Sequence, residues 1–74
     1  MAMDWRTVFG ENVRRLRRDR AMTQEQLAFE AHIDLTYVGG IERGRRNPSL
    51  LVIGRLAAAL GVTPADLVTP ARQN

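Results

Sequence analysis

Cysteine is absent from this 74-residue chain, which excludes disulfides and cysteine-ligated zinc. Lysine is absent as well, and all 11 basic residues are arginine. There is a single histidine, His32, so a site built from several imidazoles is excluded. No metal or other cofactor is expected, and no small-molecule ligand. The longest run of large apolar residues, Leu50 to Ile53, falls far short of a membrane span. An apolar segment of signal-peptide length is missing from the N-terminus, so a cytoplasmic protein with no membrane partner is expected. No stretch alternates like a strand, and no nucleophile–base pair or strand-to-helix glycine loop is visible. An enzyme therefore has nothing to rest on.

Apolar residues make up 45% of the chain, ample for a folded domain. A chain this short has room for one small core, which must come from efficient helix packing or from a partner. Eleven basic residues against eight acidic ones leave a net charge of +3. Their placement is uneven. Arg6, Arg14, Arg15, Arg17, Arg18 and Arg20 crowd one end, Arg43, Arg45 and Arg46 form a second group, and none lies between Arg20 and Arg43. Clustering of this kind is the footprint of a nucleic-acid binder, although a solvated, arginine-rich helix face would read the same. Arginine has one advantage in the first role: its planar fork grips phosphate or guanine with two parallel hydrogen bonds.

The pattern predicts an all-α fold of five helices, over about residues 4–20, 24–31, 35–43, 50–60 and 64–68. In the first, Phe9, Val13 and Leu16 make an apolar stripe that Trp5 and Val8 extend, and Gly10 weakens it by roughly 1 kcal/mol. Thr23-Gln24-Glu25-Gln26 is a capping box, stapled by Met22 and Leu27. Asp34 caps the third helix, with Ile33 and Val38 as its staple, and Gly44 closes it in a left-handed conformation. Ser49 opens the fourth, whose apolar face is read as Leu50, Ile53, Leu56, Ala57 and Leu60, with Gly61 at its end. Thr63, Pro64 at the first helical position and Asp66 start the fifth, stapled by Val62 and Leu67. Residues 1–68 read as one domain, and 69–74 as a frayed tail.

The caps Thr23 and Asp34 stand only eleven residues apart. Two helices so short must cross steeply over a small side chain, here Ala28. Val38 and Ile41 then point inward, leaving Leu35, Thr36, Gly39, Gly40 and Arg43 outward. Such a pair joined by a three-residue turn is a helix-turn-helix, here spanning 23–43, whose second helix can enter a DNA major groove. Glycine inside a helix costs roughly 1 kcal/mol, so the pair Gly39-Gly40 calls for a reason. Either bare backbone lets the helix sit deep in a groove, or a neighbouring element crowds it.

Thr23-Gln24-x-x-Leu27-Ala28, Val38, Ile41-Glu42-Arg43-Gly44, Asn47-Pro48-Ser49-Leu50 and Ala59-Leu60-Gly61-Val62 keep their mutual spacings. In these motifs the chain resembles the lambda-repressor-like, or Xre-type, helix-turn-helix family. Residues 34–43 are also similar to the controller proteins of restriction-modification systems, small dimers of that family. The resemblance implies a compact DNA-binding domain of bacterial or phage type and assigns roles by position. Gln24 would cap helix 2 over a DNA phosphate. Leu35, Thr36 and Gly40 would fall at base edges, beside Tyr37 and Gly39. Arg43, Arg45 and Arg46 would meet phosphates, with Asn47 next to them and Arg46 in reach of a base. Glu42 would instead pair with Arg17 and fix the reading helix to the scaffold. Three positions depart from the family. His32 stands in the inter-helix turn where glycine is usual, a turn residue suited to positive φ. Ala21 replaces a glycine after helix 1, suggesting extended helix there. Leu35 can only pack on a thymine methyl or exclude water.

The expected function is a transcriptional regulator that binds double-stranded DNA at a pseudo-palindromic operator as a homodimer. Its interface is expected at Leu67 and Val68, with help from Leu51 and Val52, which lie off the inner stripe of helix 4. Scattered surface apolar residues are the other reading of Leu51 and Val52. The alternative function is a protein-interaction module such as an antitoxin, which the short chain after helix 5 disfavours.

Overall fold

A computed structural model describes residues 3–71. It contains five α-helices: α1 (Trp5–Asp19), α2 (Gln24–Ala31), α3 (Leu35–Glu42), α4 (Leu50–Leu60) and α5 (Pro64–Leu67). Among the described residues there is no strand. Each helix begins where its side chains satisfy the free backbone donors of the first turn. Asp4, Thr23, Asp34, Ser49 and Thr63 all accept from a backbone N–H two or three residues ahead. At Thr23 and Thr63 the box closes in both directions, through Gln26 and Asp66.

The first four helices end in one motif. The chain turns left-handed at Ala21, His32, Gly44 and Gly61, and the next amide donates back five residues, as from Met22 to the Arg17 carbonyl at 3.1 Å. Ala21 has φ 54° and His32 φ 57°. The expectation of extended helix at Ala21 is therefore overturned. Burying the five-residue return bond demands the left-handed residue whatever its type, and here alanine bears the strain.

The core draws on every helix: Phe9 and Val13 of α1, Leu27, Ala28 and Ala31 of α2, Val38 and Ile41 of α3, Leu56, Ala57 and Leu60 of α4, and Leu67 of α5. Ala28 of α2 is buried, and α2 packs against α3. Two apolar residues lie elsewhere than the periodicity suggests. Trp5 is 56% exposed and Leu50 80% exposed, because each is the first residue of its helix and projects past the edge of the packed layer.

Two features join α1 to α3. A Cβ on Gly10 would fall onto the Ile41 carbonyl oxygen and 3.1 Å from that of Glu42, so the helices touch backbone to backbone there. Beyond this contact Arg17 grips Glu42 with both prongs of its guanidinium, Nε to Oε2 at 2.7 Å and Nη2 to Oε1 at 3.0 Å. Its remaining nitrogen donates to the Met22 carbonyl at 2.8 Å, and Gln24 donates to Glu42 Oε1 at 3.0 Å. The pair is buried on both sides. Hydrogen bonding to the carboxylate, outweighing desolvation, raises the guanidinium pKa above its ordinary value.

Asn12 makes the other buried polar junction. Its side-chain amide donates to the carbonyls of Leu67 at 2.9 Å and Thr69 at 2.8 Å, while its oxygen accepts from Arg15. Thr69, the first residue past the expected boundary at 68, is thus also hydrogen-bonded to α1. Residues 72–74 of the expected tail lie outside the described residues.

Two stability changes follow. Ala21→Gly should stabilise the fold by about 0.5–1 kcal/mol, because glycine enters the left-handed region without a Cβ clash. Thermal melts check this, and a lower midpoint would contradict the strain at Ala21. Glu42→Ala leaves a buried guanidinium unpaired and should cost about 3 kcal/mol in urea unfolding. A loss below about 1 kcal/mol would mean that solvent readily replaces the carboxylate.

Candidate nucleic-acid interface

With Val38 and Ile41 in the core and Glu42 bound to α1, the opposite face of α3 is left to solvent. Leu35 and Thr36 are exposed in its first turn, where the Asp34 carboxylate accepts from the Thr36 amide at 3.1 Å. Arg43 is exposed at its end. Gly44, at φ 73°, then reverses the chain, its amide bonded to the Ile41 carbonyl and that of Arg45 to the Gly40 carbonyl. Arg45, Arg46 and Asn47 follow, all exposed. Arg46 returns across the helix, its Cζ 4.9 Å from the centre of the Tyr37 ring. A stack of this kind at a surface is worth about 0.5–1 kcal/mol.

Four expected site residues sit differently from their sequence reading. Gln24 turns its amide inward to Glu42, because a buried carboxylate with a free lone pair outbids solvent for that donor. Gly39 and Gly40 are buried rather than bare: Arg43 lies over the first and Arg46 over the second. Tyr37 is half-buried, packed against the core, with its ring serving Arg46.

The arginine cluster of α1 also divides. Arg6 pairs with Asp4, Arg17 with Glu42, and Arg20 donates to the Leu60 carbonyl at 3.3 Å. Arg14 and Arg18 stand exposed on the outer face of α1. Part of what reads in sequence as a nucleic-acid footprint is therefore internal scaffolding. The opposite sign collects on α2, where Glu25 and Glu30 are exposed.

The apolar residues expected at a dimer interface separate too. Leu67 is 0% exposed, wholly spent on the core, so it presents no surface. Val52 is partly buried against the core, whereas Leu51 and Val68 are exposed. Val68 borders a shallow groove shared with Trp5, Phe9, Pro48 and Ile53. Sequence reasoning missed Trp5 here, as it missed Asn12 and the contact made by Gly10. For Gly10 the signal was present, an unexplained glycine inside a helix.

Among the described residues, no group of three or more His, Asp or Glu side chains could hold a metal ion. No helix there is long and apolar enough to cross a membrane.

A helix-turn-helix family profile matches residues 13–67. The chain is 46% identical over 69 residues to the control protein C.BamHI of Bacillus amyloliquefaciens, covering 92% of this chain and 85% of that one. It is 44% identical over 68 residues to the uncharacterised HTH-type transcriptional regulator y4dJ of Sinorhizobium fredii, covering 92% and 88%. Among solved structures, the restriction-modification controller protein C.AhdI of Aeromonas hydrophila superposes with a TM-score of 0.82 at 47% identity, covering 84% of this chain and 94% of that one. The hypothetical transcription factor NHTF of Neisseria gives 0.87 at 38% identity, covering 95% and 83%. With its fold, its motifs and most of its length in common with these proteins, the chain belongs to the helix-turn-helix family, as a transcriptional regulator of the controller-protein type.

Proposed function

We propose that the chain binds a pseudo-palindromic DNA operator as a homodimer, with α3 in the major groove. The observation that carries this reading is the mounting of α3. One face is locked to α1 by a buried ion pair, and the other offers Leu35, Thr36 and Arg43, followed by Arg45, Arg46 and Asn47. A reading helix must hold its register against the bases, and that mounting supplies it. The Thr36 hydroxyl can donate to or accept from a base edge, while Leu35 can pack only on a thymine methyl. Arg43 and Arg45 meet phosphates, which position the domain without reading sequence.

One such head covers only a few base pairs. Two related by a twofold axis read a palindrome about one helical turn apart, and joining them multiplies a modest affinity. The exposed apolar residues Trp5 of α1, Leu50 and Leu51 of α4, and Val68 just after α5 supply the joining patch. Leu67 supports that patch from within rather than touching the partner.

Selection of bound DNA from a random pool tests the whole reading, which requires an enriched palindrome. Within that assay Thr36→Ala should change the preferred base pairs. Arg45→Ala should weaken all sequences alike and lower the salt slope by about one unit. A uniform loss for Thr36→Ala, with preference unaltered, would remove its reading role. Val68→Asp should give a folded monomer with operator affinity reduced by about a hundredfold or more. Sedimentation that finds the unaltered chain monomeric at every concentration, free and on DNA, would rule out the dimer.

A further inference from the structure

Gly39 and Gly40 stand side by side within α3, where glycine weakens a helix relative to alanine. What buries them is arginine, and the two contacts differ in kind. A Cβ on Gly39 would meet the far end of Arg43, Nη1 at 3.2 Å, a contact that a long side chain readily yields. A Cβ on Gly40 would meet the stem of Arg46, with Cγ at 2.8 Å and both Cδ and Nε at 3.4 Å. Moving the stem displaces the whole side chain. Three residues before Gly40, on the same face of the helix, the Tyr37 ring carries the guanidinium of the same arginine. Tyr37 is itself packed on the core, so its ring is a fixed surface.

From this geometry we infer that Gly40 and Tyr37 are positioning residues that together seat Arg46 across the exposed face of α3 before DNA arrives. The inference rests on the reading of α3 as the DNA-facing helix. A free arginine side chain loses rotamer freedom when it grips a phosphate or a guanine edge, and one already held loses less. The glycine is needed because only a residue without Cβ leaves room for the stem. The tyrosine is needed because a flat face keeps the fork from swinging away. Gly39 shares the helix but not the role, since only the tip of Arg43 lies over it.

The seat can be measured without DNA. Ring currents from Tyr37 should displace the Arg46 Cδ protons upfield in the NMR spectrum of the free chain. Tyr37→Phe should keep that displacement, and both Tyr37→Leu and Gly40→Ala should abolish it. Undisplaced Arg46 protons in the unaltered chain would overturn the inference, whatever the chain binds. On an enriched operator, Gly40→Ala should weaken binding about fivefold, the equivalent of about 1 kcal/mol, while its melting midpoint stays level or rises. Gly39→Ala should leave affinity within about twofold. The deciding comparison is Gly40→Ala in an Arg46→Ala background, where it should cost no further affinity. An undiminished loss there would mean that the glycine serves close approach of backbone to DNA, and the seat would be rejected. Failure of the unaltered chain to enrich any DNA would overturn the reading of α3 and the purpose given to the seat together. The proton displacements would still show separately whether Arg46 is held.

Discussion

The buried pair between Arg17 and Glu42 governs this molecule more than any other single contact. A four-helix core with one short appended helix could hold α3 in place only loosely, since α3 is eight residues long and contributes just Val38 and Ile41 as large buried apolar side chains. The ion pair adds direction to that packing. Two parallel hydrogen bonds define the rotation of α3 about its own axis as well as its distance from α1, which apolar contact alone does not. Met22 and Gln24 complete the donors and acceptors around it, so no buried side-chain polar atom is left without a partner among the described residues. Gly10 belongs to the same arrangement. The pair can close only if the two backbones approach at the carbonyl of Ile41, and a methyl group there would hold them apart.

A second theme is the double use of arginine. With lysine absent, one residue type serves both the scaffold and the surface. Arg17 and Arg20 satisfy buried or half-buried acceptors in other parts of the chain, and Arg46 folds back from the following loop along α3. A guanidinium suits all three tasks because it is planar, always charged and rich in donors. The consequence for reading such sequences is direct. Net charge and clustering overstate the electrostatic footprint of the surface wherever some of those arginines face inward.

Much of this architecture was legible in the residues. The five helices, their caps and the left-handed closures at Gly44 and Gly61 follow from local chemistry: hydroxyls and carboxylates before a first turn, glycine after a last one. The family resemblance placed Arg17 opposite Glu42, and the inward positions of Val38 and Ile41 marked the outer face of α3. Misreadings concentrated at the ends of helices. Periodicity put Trp5 and Leu50 inside, but at a first helical position the layer they would pack against has already ended. Ala21 offered no local sign of positive φ, because the return bond from Met22 to Arg17 imposes it from outside the residue.

What the sequence by itself determined was most of what has its cause within about one helical turn: the helix starts, the stops at glycine, the inward stripes away from the helix ends, and which large side chains of α3 face inward. Tertiary structure alone decided which side chains are used up. Leu67 vanished into the core, Gln24 turned to Glu42, Asn12 reached across the chain to Leu67 and Thr69, and Arg46 came to rest between Tyr37 and Gly40. Those outcomes depend on competition between distant groups for the same partner or the same space. A linear pattern records which groups compete, but the winner is set by distances that exist only once the helices have packed.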